Sequence, residues 1–307
     1  MDATVATAVV VEGVGLHTGA PVRVTLVPED KPGIVFRRAD LPGTPPIAAL
    51  PPSISPATRH TVIRNDAASV ATVEHLLAAC WGLDITALDV AVEGPELPVG
   101  DGSALIWVEA LQKAGRATFS RPQTPLVPRP VRLEEGGSSI ALAPAAAWEV
   151  HFAGVFPDGR RYEVTWTPET DFVAELAKAR TFCRLSEVAG LRRMNLARGG
   201  NPGNSLVWID GPVTEEMRRE MNSWWPGVSL ACDGAGLLES QRLRSPDECA
   251  RHKLLDLLGD LALLRPVVPC RVAAIQSGHA LAHRLVRQCA LGQHARETMA
   301  DLEGSYG

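Results

Sequence analysis

The sequence predicts an α+β protein with two topologically similar domains. Its 307 residues are enough for about two domains of ordinary size. The stretch RPQTPLVPRP, residues 121–130, holds four prolines and is the best candidate for a linker, because proline continues neither a helix nor a sheet. On each side of it, strand-like segments lead into an amphipathic helix that carries a histidine.

The N-terminal domain is expected over residues 1–120. Its apolar segments AVVVEGVGLHTG and VRVTLVP are typical of strands. Residues 69–83, SVATVEHLLAACWGL, are predicted to form the amphipathic helix, and the strand-like TALDVAVEG follows them.

The C-terminal domain is expected over residues 131–307 and repeats this plan. Its strands are SSIALAP, WEVHFAGVF and RYEVTWTP, and its helix, residues 247–264, is followed by the strand-like VPCRVAAIQSG. The helical stretches EHLLAACWGL and RHKLLDLLGDL are weakly alike, which favours a duplicated α+β unit. The alternative is that any two amphipathic helices look alike.

Two further segments of the C-terminal domain stand out. Residues 171–197 predict two helical segments around Thr181 and Phe182. Residues 211–245 are predicted as a long irregular loop that contains Trp224 and Trp225. A loop of that length inside a compact domain is usually functional or disordered.

The composition excludes several classes of function. The formal net charge is −5 without a basic stripe, and there are only two Tyr and six Phe to stack on bases, so we expect no nucleic-acid partner. The N-terminus lacks a basic signal region, and no apolar run reaches the ~20 residues of a membrane span. The six cysteines include no C-x-x-C pair. We therefore expect reduced thiols in a cytoplasmic protein without stable membrane insertion.

A row of polar side chains marks the leucine-rich helix RHKLLDLLGD, residues 251–260. His252, Asp256 and Asp260 follow one another at steps of four and span roughly 80° of the helix surface. One interpretation is an ordinary solvated face of an amphipathic helix. Such a face usually shows Lys, Glu, Gln and Arg, whereas this row holds only metal-ligand types and their orienting partners.

The row gains a function if the helix of the other domain supplies a third ligand. A hydrolytic zinc site takes about three protein ligands and keeps one position open for water. His252 and Asp256 supply two ligands, His75 a third, and the adjacent Glu74 is a candidate general base. The alternative for His75 is a hydrogen-bonded histidine in an apolar core.

Other groups could complete the chemistry. His279 in SGHAL is a candidate acid or charge-stabilising group, which Asp260 would orient. Thr181 and Lys253 could stabilise a tetrahedral oxyanion. The alternatives are a turn residue for His279 and a surface carboxylate for Asp260. His17 in GVGLHTG has the pattern of a hydrogen-bonded turn histidine.

Six motifs occur in one order along the chain: GVGLHTG (13–19), TVEHLLAA (72–79), GPELPVGDGSA (94–104), ARTF (179–182), RHKLLDLLGD (251–260) and SGHAL (277–281). In this combination the sequence closely resembles the zinc-dependent UDP-3-O-acyl-N-acetylglucosamine deacetylase family of lipid A biosynthesis. The resemblance runs from about residue 7 to residue 290. It implies two α+β domains whose helices pack between two small sheets, with the active site in the cleft between the domains.

The resemblance also implies roles for individual residues. His75, His252 and Asp256 match the family's zinc ligands, and Glu74 matches its general base. His279 matches the catalytic histidine. Asp260 matches the carboxylate that supports this histidine. Thr181 and Lys253 match the groups that handle the oxyanion and the substrate.

The substrate contacts follow from the same resemblance. Phe182 matches a substrate-contacting residue, and residues 186–198 match the insert that forms a passage for a fatty acyl chain. Phe156, Gln276 and His17 are added as candidate substrate contacts. The expected cofactor is Zn²⁺, although Fe²⁺ suits a site of two histidines and one aspartate as well. The expected partner is a small amphipathic or sugar substrate, and the expected state is a monomer.

The chain departs from the family at positions that concern the substrate. Gln276 stands where the family usually has a Lys, and VFPDGRRY, residues 155–162, lacks a His-Pro, although Phe156 keeps an aromatic side chain there. Arg160 or Arg161 could replace the lost cation.

Two more departures lie elsewhere. Ala282-His283 follows SGHAL where the family favours Asn, and residues 211–245 exceed the family's usual length by roughly twenty residues.

The sequence therefore predicts zinc-dependent hydrolysis of the 2-acetamido group of UDP-3-O-acyl-N-acetylglucosamine, with release of acetate. One alternative is a paralogue with the same chemistry on another acetamido sugar or sugar-nucleoside. A second alternative is a non-enzymatic metal-binding scaffold. The complete set of Glu74, His75, His252, Asp256 and His279 argues against that scaffold, because a protein that has lost catalysis tends to lose at least one such residue.

Overall fold

The computed structural model describes residues 2–121 and 123–304, with side chains as far as residue 291. Pro122 of the predicted linker lies outside the described residues, as do Met1 and residues 305–307 of the two predicted domains. The mixed α+β class is confirmed.

The secondary structure alternates short strands with seven α-helices in the described part of the chain. The first ten strands are β1 Asp2–Val5, β2 Val9–Val14, β3 Pro21–Val27, β4 Gly33–Arg38, β5 Ile47–Ala48, β6 Ile54–Ser55, β7 Val62–Arg64, β8 Ser69–Ala71, β9 Ala87–Glu93 and β10 Arg116–Phe119. The others are β11 Val131–Glu135, β12 Ser138–Pro144, β13 Glu149–Val155, β14 Arg161–Trp166, β15 Phe182–Arg184, β16 Leu206–Trp208 and β17 Cys270–Ile275. The helices are α1 Glu74–Gly82, α2 Leu105–Ala114, α3 Phe172–Glu175, α4 Leu185–Arg193, α5 Glu215–Trp224, α6 Glu248–Ala262 and α7 His279–Gly304.

Two five-stranded sheets share one topology. Their strand orders are β2-β3-β9-β4-β5 and β11-β12-β17-β13-β14, so in both the last strand in the chain lies at the centre. In both, the central strand runs parallel to one neighbour, and the other pairs are antiparallel. A histidine-bearing helix precedes each central strand. The predicted duplication of an α+β unit is therefore confirmed at the level of topology.

The helices α1 and α6 pack directly against each other. A side chain at Gly259 would place its Cβ 2.1 Å from the carbonyl oxygen of Glu74, so only glycine lets the two backbones come this close. Helix α6 also packs on β13, β14 and α7. The side chains of its polar row, His252, Asp256 and Asp260, are buried, so the interpretation of that row as a solvated face is wrong.

The segment around Thr181 has the two predicted helices, α3 and α4, with β15 between them. Helix α3 is short and is capped by Asp171, whose side chain accepts a hydrogen bond from the backbone N–H of Ala174. Strand β15 pairs with β16 in parallel, and this small sheet attaches α4 to the rest of the domain.

The prediction of a long irregular loop over residues 211–245 is wrong for its first part, which contains α5. Thr214 caps this helix, since its Oγ1 accepts a hydrogen bond from the backbone N–H of Met217 at 3.2 Å. Glu215 and Glu216 stand in the first turn, where the helix dipole favours negative charge. These start signals are local and could have been found in the sequence.

Residues 121–130 lie between β10 and β11, where the linker was predicted. Leu126 pairs with the segment after α6: its N–H donates to the carbonyl of Pro266 at 2.9 Å, and its carbonyl accepts from Val268 at 3.0 Å. The division into residues 1–120 and 131–307 stays a prediction. No helix among the described residues is both long and apolar enough to span a bilayer. All six cysteines are free thiols.

Candidate active site

The three predicted metal ligands, His75, His252 and Asp256, lie together where α1 packs against α6. Asp256 Oδ1 lies 3.5 Å from His75 Nε2 and 3.4 Å from His252 Nε2. The two imidazole rings stand edge to face with centroids 5.1 Å apart. All three side chains are buried, and their ligand atoms lie within 4.8 Å of one another. One ion can therefore reach all three side chains.

The surroundings of this trio fit a divalent cation. His252 Nδ1 lies 3.0 Å from the carbonyl oxygen of Ala179, which leaves Nε2 free to bind an ion. Burial lowers the pKa of His252 to about 4, so the ring is neutral, as a metal ligand must be. Burial disfavours the ionised Asp256 carboxylate, but His252 and Lys253 outweigh it and hold its pKa well below the usual range. Two imidazoles and one carboxylate make a donor set that suits zinc.

Glu74 stands beside the trio at the first position of α1. Its Oε2 accepts a hydrogen bond from the backbone N–H of Thr61 at 3.0 Å, and its Oε1 lies 3.9 Å from His279 Nε2. His279 Nε2 also lies 3.6 Å from Asp256 Oδ2. Glu74 and His279 therefore lie next to each other beside the trio.

A hydrogen-bonded network holds His279 from behind. Asp260 Oδ2 lies 2.7 Å from His279 Nδ1, and Asp260 Oδ1 lies 3.1 Å from His283 Nε2. Thr61 donates from its hydroxyl to Asp260 Oδ1 at 2.6 Å and lies 2.9 Å from His283 Nε2. Asp260, predicted as the residue that orients His279, contacts it directly. Because the Asp260 carboxylate contacts the imidazoles of both His279 and His283, we regard Asp260, His283 and Thr61 as a network that positions His279.

Sequence reasoning did not assign Thr61 or His283 to the site. His283 carried a usable signal, because it follows His279 by four residues at the start of α7 and so shares its face. Thr61 carried none, since it reaches Asp260 from 199 positions away in the chain.

The charge on His279 gives the site a pH dependence. Burial disfavours the imidazolium, but Asp260 and then Asp256 outweigh it and raise the pKa of His279 to about 9. A bound cation adds positive charge and lowers this value. If catalysis needs the imidazolium, activity is lost as pH rises through that pKa, at or below about 9.

Asp260→Asn is expected to move this alkaline limb toward lower pH. The substitution removes the charge that offsets burial, so the imidazolium loses its stabilisation. The measurement is kcat/KM from neutral to alkaline pH, with the exposed Asp66→Asn as the matched control. An unchanged limb in Asp260→Asn would show that another group determines it.

The predicted oxyanion groups line the same cavity. The backbone N–H of Thr181 donates to Gly102 at 2.8 Å, and its carbonyl accepts from Leu206 at 2.8 Å, so two segments hold it in place. Lys253 Nζ donates to Asp256 Oδ2 at 2.8 Å. Burial disfavours its ammonium, but Asp256 outweighs burial and raises the pKa of Lys253, which stays cationic.

His17 is a buried residue of the cavity wall. Its backbone N–H donates to Glu96 Oε1 at 2.8 Å, and its Nδ1 accepts from the backbone N–H of Ala197 at 3.3 Å. Glu96 is fully buried. It also accepts hydrogen bonds from the backbone N–H and the hydroxyl of Thr18 and from the hydroxyl of Thr72. The motifs GVGLHTG and GPELPVGDGSA are thus joined by Glu96, which positions the His17 turn.

The cavity beside these groups measures about 500 Å³ and has two chemically different ends. Its polar end holds the predicted ligands with Glu74 and His279. Its apolar end is formed by Leu16, Val188, Leu191, Ala197, Val207 and Trp225. Residues 186–198, predicted to form an acyl passage, therefore supply three of these apolar lining residues, Val188, Leu191 and Ala197.

A neighbouring opening of about 210 Å³ contains the other predicted substrate contacts. Phe156, Phe182 and Gln276 line it together with Arg59 and Lys253. The rings of Phe156 and Phe182 meet edge to face with centroids 6.0 Å apart.

The positively charged residues that line this opening are not the arginines that were predicted. Gln276 Oε1 accepts a hydrogen bond from the backbone N–H of Val155 at 3.0 Å, which leaves its amide N–H groups for a ligand. Arg160 and Arg161, considered as replacement cations, are not among the described residues that line either cavity. Arg59, which pairs with Glu187, lines both and was missed.

The sequence is similar to known proteins along most of its length. The family model for UDP-3-O-acyl N-acetylglycosamine deacetylase matches residues 2–222 and 227–290. The UDP-3-O-acyl-N-acetylglucosamine deacetylase of Myxococcus xanthus is 36% identical over 284 residues, which cover 90% of this chain and 82% of that protein. The enzyme of the same name from Phenylobacterium zucineum is 38% identical over 285 residues, covering 91% and 89%. That from Nitratidesulfovibrio vulgaris is 38% identical over 290 residues, covering 92% and 86%.

Proposed function

This chain belongs to the UDP-3-O-acyl N-acetylglycosamine deacetylase family, and we propose from that premise how its residues carry the reaction. The chain is an N-deacetylase of UDP-3-O-acyl-N-acetylglucosamine that releases acetate, a reaction of lipid A biosynthesis. The observation that carries the assignment of roles is the buried trio His75, His252 and Asp256, beside which Glu74 and His279 lie 3.9 Å apart.

The trio would hold a divalent cation. We propose Zn²⁺, because it favours two imidazoles and one carboxylate with one position left open. Fe²⁺ is the alternative that the same donors accept. When bound, the cation polarises the amide carbonyl and acidifies a water molecule. Metal analysis of freshly purified protein distinguishes the two ions.

The proton transfers fall to Glu74 and His279. Glu74 accepts a proton from the attacking water as its oxygen adds to the acetamido carbon. His279, held as an imidazolium by Asp260, donates a proton to the amine as the carbon–nitrogen bond breaks. One water is consumed, and acetate and the free amine leave.

The negative oxygen of the tetrahedral intermediate needs donors from the chain. Lys253 keeps its charge beside Asp256, and Thr181 lines the same end of the cavity. We assign both to the oxyanion, where fixed donors in a dry site stabilise the developing charge.

The two cavities suit the two ends of the substrate. The apolar end accepts the acyl chain. For the nucleoside diphosphate we propose the neighbouring opening, where Phe156 and Phe182 offer aromatic surface and Arg59 and Lys253 offer positive charge. Gln276 would contribute its amide N–H groups there. This division keeps the acetamido group between the openings, next to His279.

The test is turnover of the proposed substrate. Metal-replete protein is incubated with UDP-3-O-acyl-N-acetylglucosamine, and acetate release is scored by mass spectrometry. We expect turnover by the wild type and none by His75→Ala. If the wild type shows no turnover with one ion bound per chain, the substrate assignment is wrong and other acetamido sugars must be screened.

A further inference from the structure

One side chain of the apolar end, that of Trp225, comes from a different part of the chain than the others that are described as lining it. Val188 and Leu191 belong to α4, and Val207 belongs to β16. Trp225 directly follows α5, and among the described residues that line the cavity it alone belongs to segment 211–245. Its side chain is 6% exposed, so the indole is part of the packed interior.

The position of this ring is held by hydrogen bonds and packing. Its Nε1 donates to the carbonyl oxygen of Gly200 at 2.8 Å, and its backbone N–H donates to Met221 at 2.7 Å. The ring belongs to a separate apolar cluster that includes Val188, Val207 and Met221. A buried indole with its N–H bonded and its faces packed is a rigid wall.

The family model matches up to residue 222 and again from residue 227, and the interval that it omits, residues 223–226, contains Trp225. The rest of the cavity lies within the matched residues. Among the described residues that line the cavity, Trp225 is therefore the one that the family model does not match.

We propose that Trp225 sets the longest acyl chain that this enzyme accepts. The inference rests on the proposed function, since it assumes that the acyl chain enters the apolar end. While a chain still fits, each added methylene that leaves water improves binding about fourfold. A methylene that meets the indole cannot enter, so this gain stops at the length where the chain reaches Trp225.

The experiment compares acyl lengths in matched variants. Wild type, Trp225→Ala and Trp224→Ala are assayed with the decanoyl, lauroyl, myristoyl, palmitoyl and stearoyl forms of UDP-3-O-acyl-N-acetylglucosamine. Trp224 is the matched control, because it stacks on Arg192 at 4.7 Å and is not among the described residues that line the cavity. Thermal unfolding of each variant is measured in parallel.

We expect kcat/KM of the wild type to fall beyond one chain length. In Trp225→Ala the ratio of kcat/KM for longer chains to that for the wild-type optimum should rise at least about tenfold, the gain of two methylenes. Trp224→Ala should keep the wild-type profile. An unchanged profile in a folded Trp225→Ala would overturn the proposal.

A second variant covers the case in which Trp225→Ala does not fold. Trp225→Phe keeps a buried ring and should shift the profile in the same direction by a smaller factor, whereas a wild-type profile in this variant overturns the proposal. Failure of the proposed function looks different, because the wild type would then turn over none of the chain lengths. A length profile that Trp225 does not affect rejects only this inference.

Discussion

Glu74→Gln is expected to lower kcat by about 10²–10⁴, the range that a positioned general base contributes. The substitution keeps the shape of the side chain and an oxygen that can accept the hydrogen bond from Thr61. It removes the carboxylate that takes the proton from water. Because Glu74 is outside the ligand trio, the variant should still bind one ion per chain.

Three measurements make this prediction specific. Steady-state kinetics give kcat and KM, metal analysis gives the ion content, and thermal unfolding shows that the fold is intact. Glu109→Gln, on the exposed face of α2, is the matched control and should keep wild-type turnover. Near-wild-type kcat in a metal-loaded Glu74→Gln would remove Glu74 from the role of base.

His252→Ala, or chelation of the wild type, is expected to abolish measurable turnover, with a loss of at least about 10³. Polarisation by a bound cation contributes several kcal/mol to the transition state, and about 1.4 kcal/mol corresponds to a factor of ten. The variant removes one of the two imidazoles of the ligand trio. Activity of the chelated wild type should return on addition of Zn²⁺.

The same site should couple the ion to stability. An ion that binds only the folded chain, at a thousandfold excess over its Kd, contributes about 4 kcal/mol. This corresponds to a rise of roughly 8–16 °C in the midpoint of thermal unfolding, at about 2–4 °C per kcal/mol for a domain of about 150–250 residues. The rise should be lost in His252→Ala. Full activity under chelation, or an equal rise in His252→Ala, would contradict a metal site made of these three residues.

Much of the fold could be predicted because its signals are local. Apolar alternation located strands in both halves, and apolar spacing located α1 and α6. The predicted start of the first helix at residue 69 was wrong, because residues 69–71 form β8 and α1 begins at Glu74. Because His252, Asp256 and Asp260 follow one another at steps of four, helical geometry alone places them on one face of α6. The prediction for residues 211–245 was wrong for its first part, where the cap at Thr214 and the acidic first turn of α5 are local start signals of a helix.

The sequence by itself determined which chemical groups the site contains, since residue type and position on a helix face are local properties. Only the tertiary structure decided which face is covered. Gly259 lets α1 approach α6, which turns the polar row into the wall of a buried cavity. Thr61 and Trp225 join the site from segments outside α1 and α6. Periodicity reports which residues share a face, but the partner that covers that face is selected by long-range packing, and no local pattern encodes it.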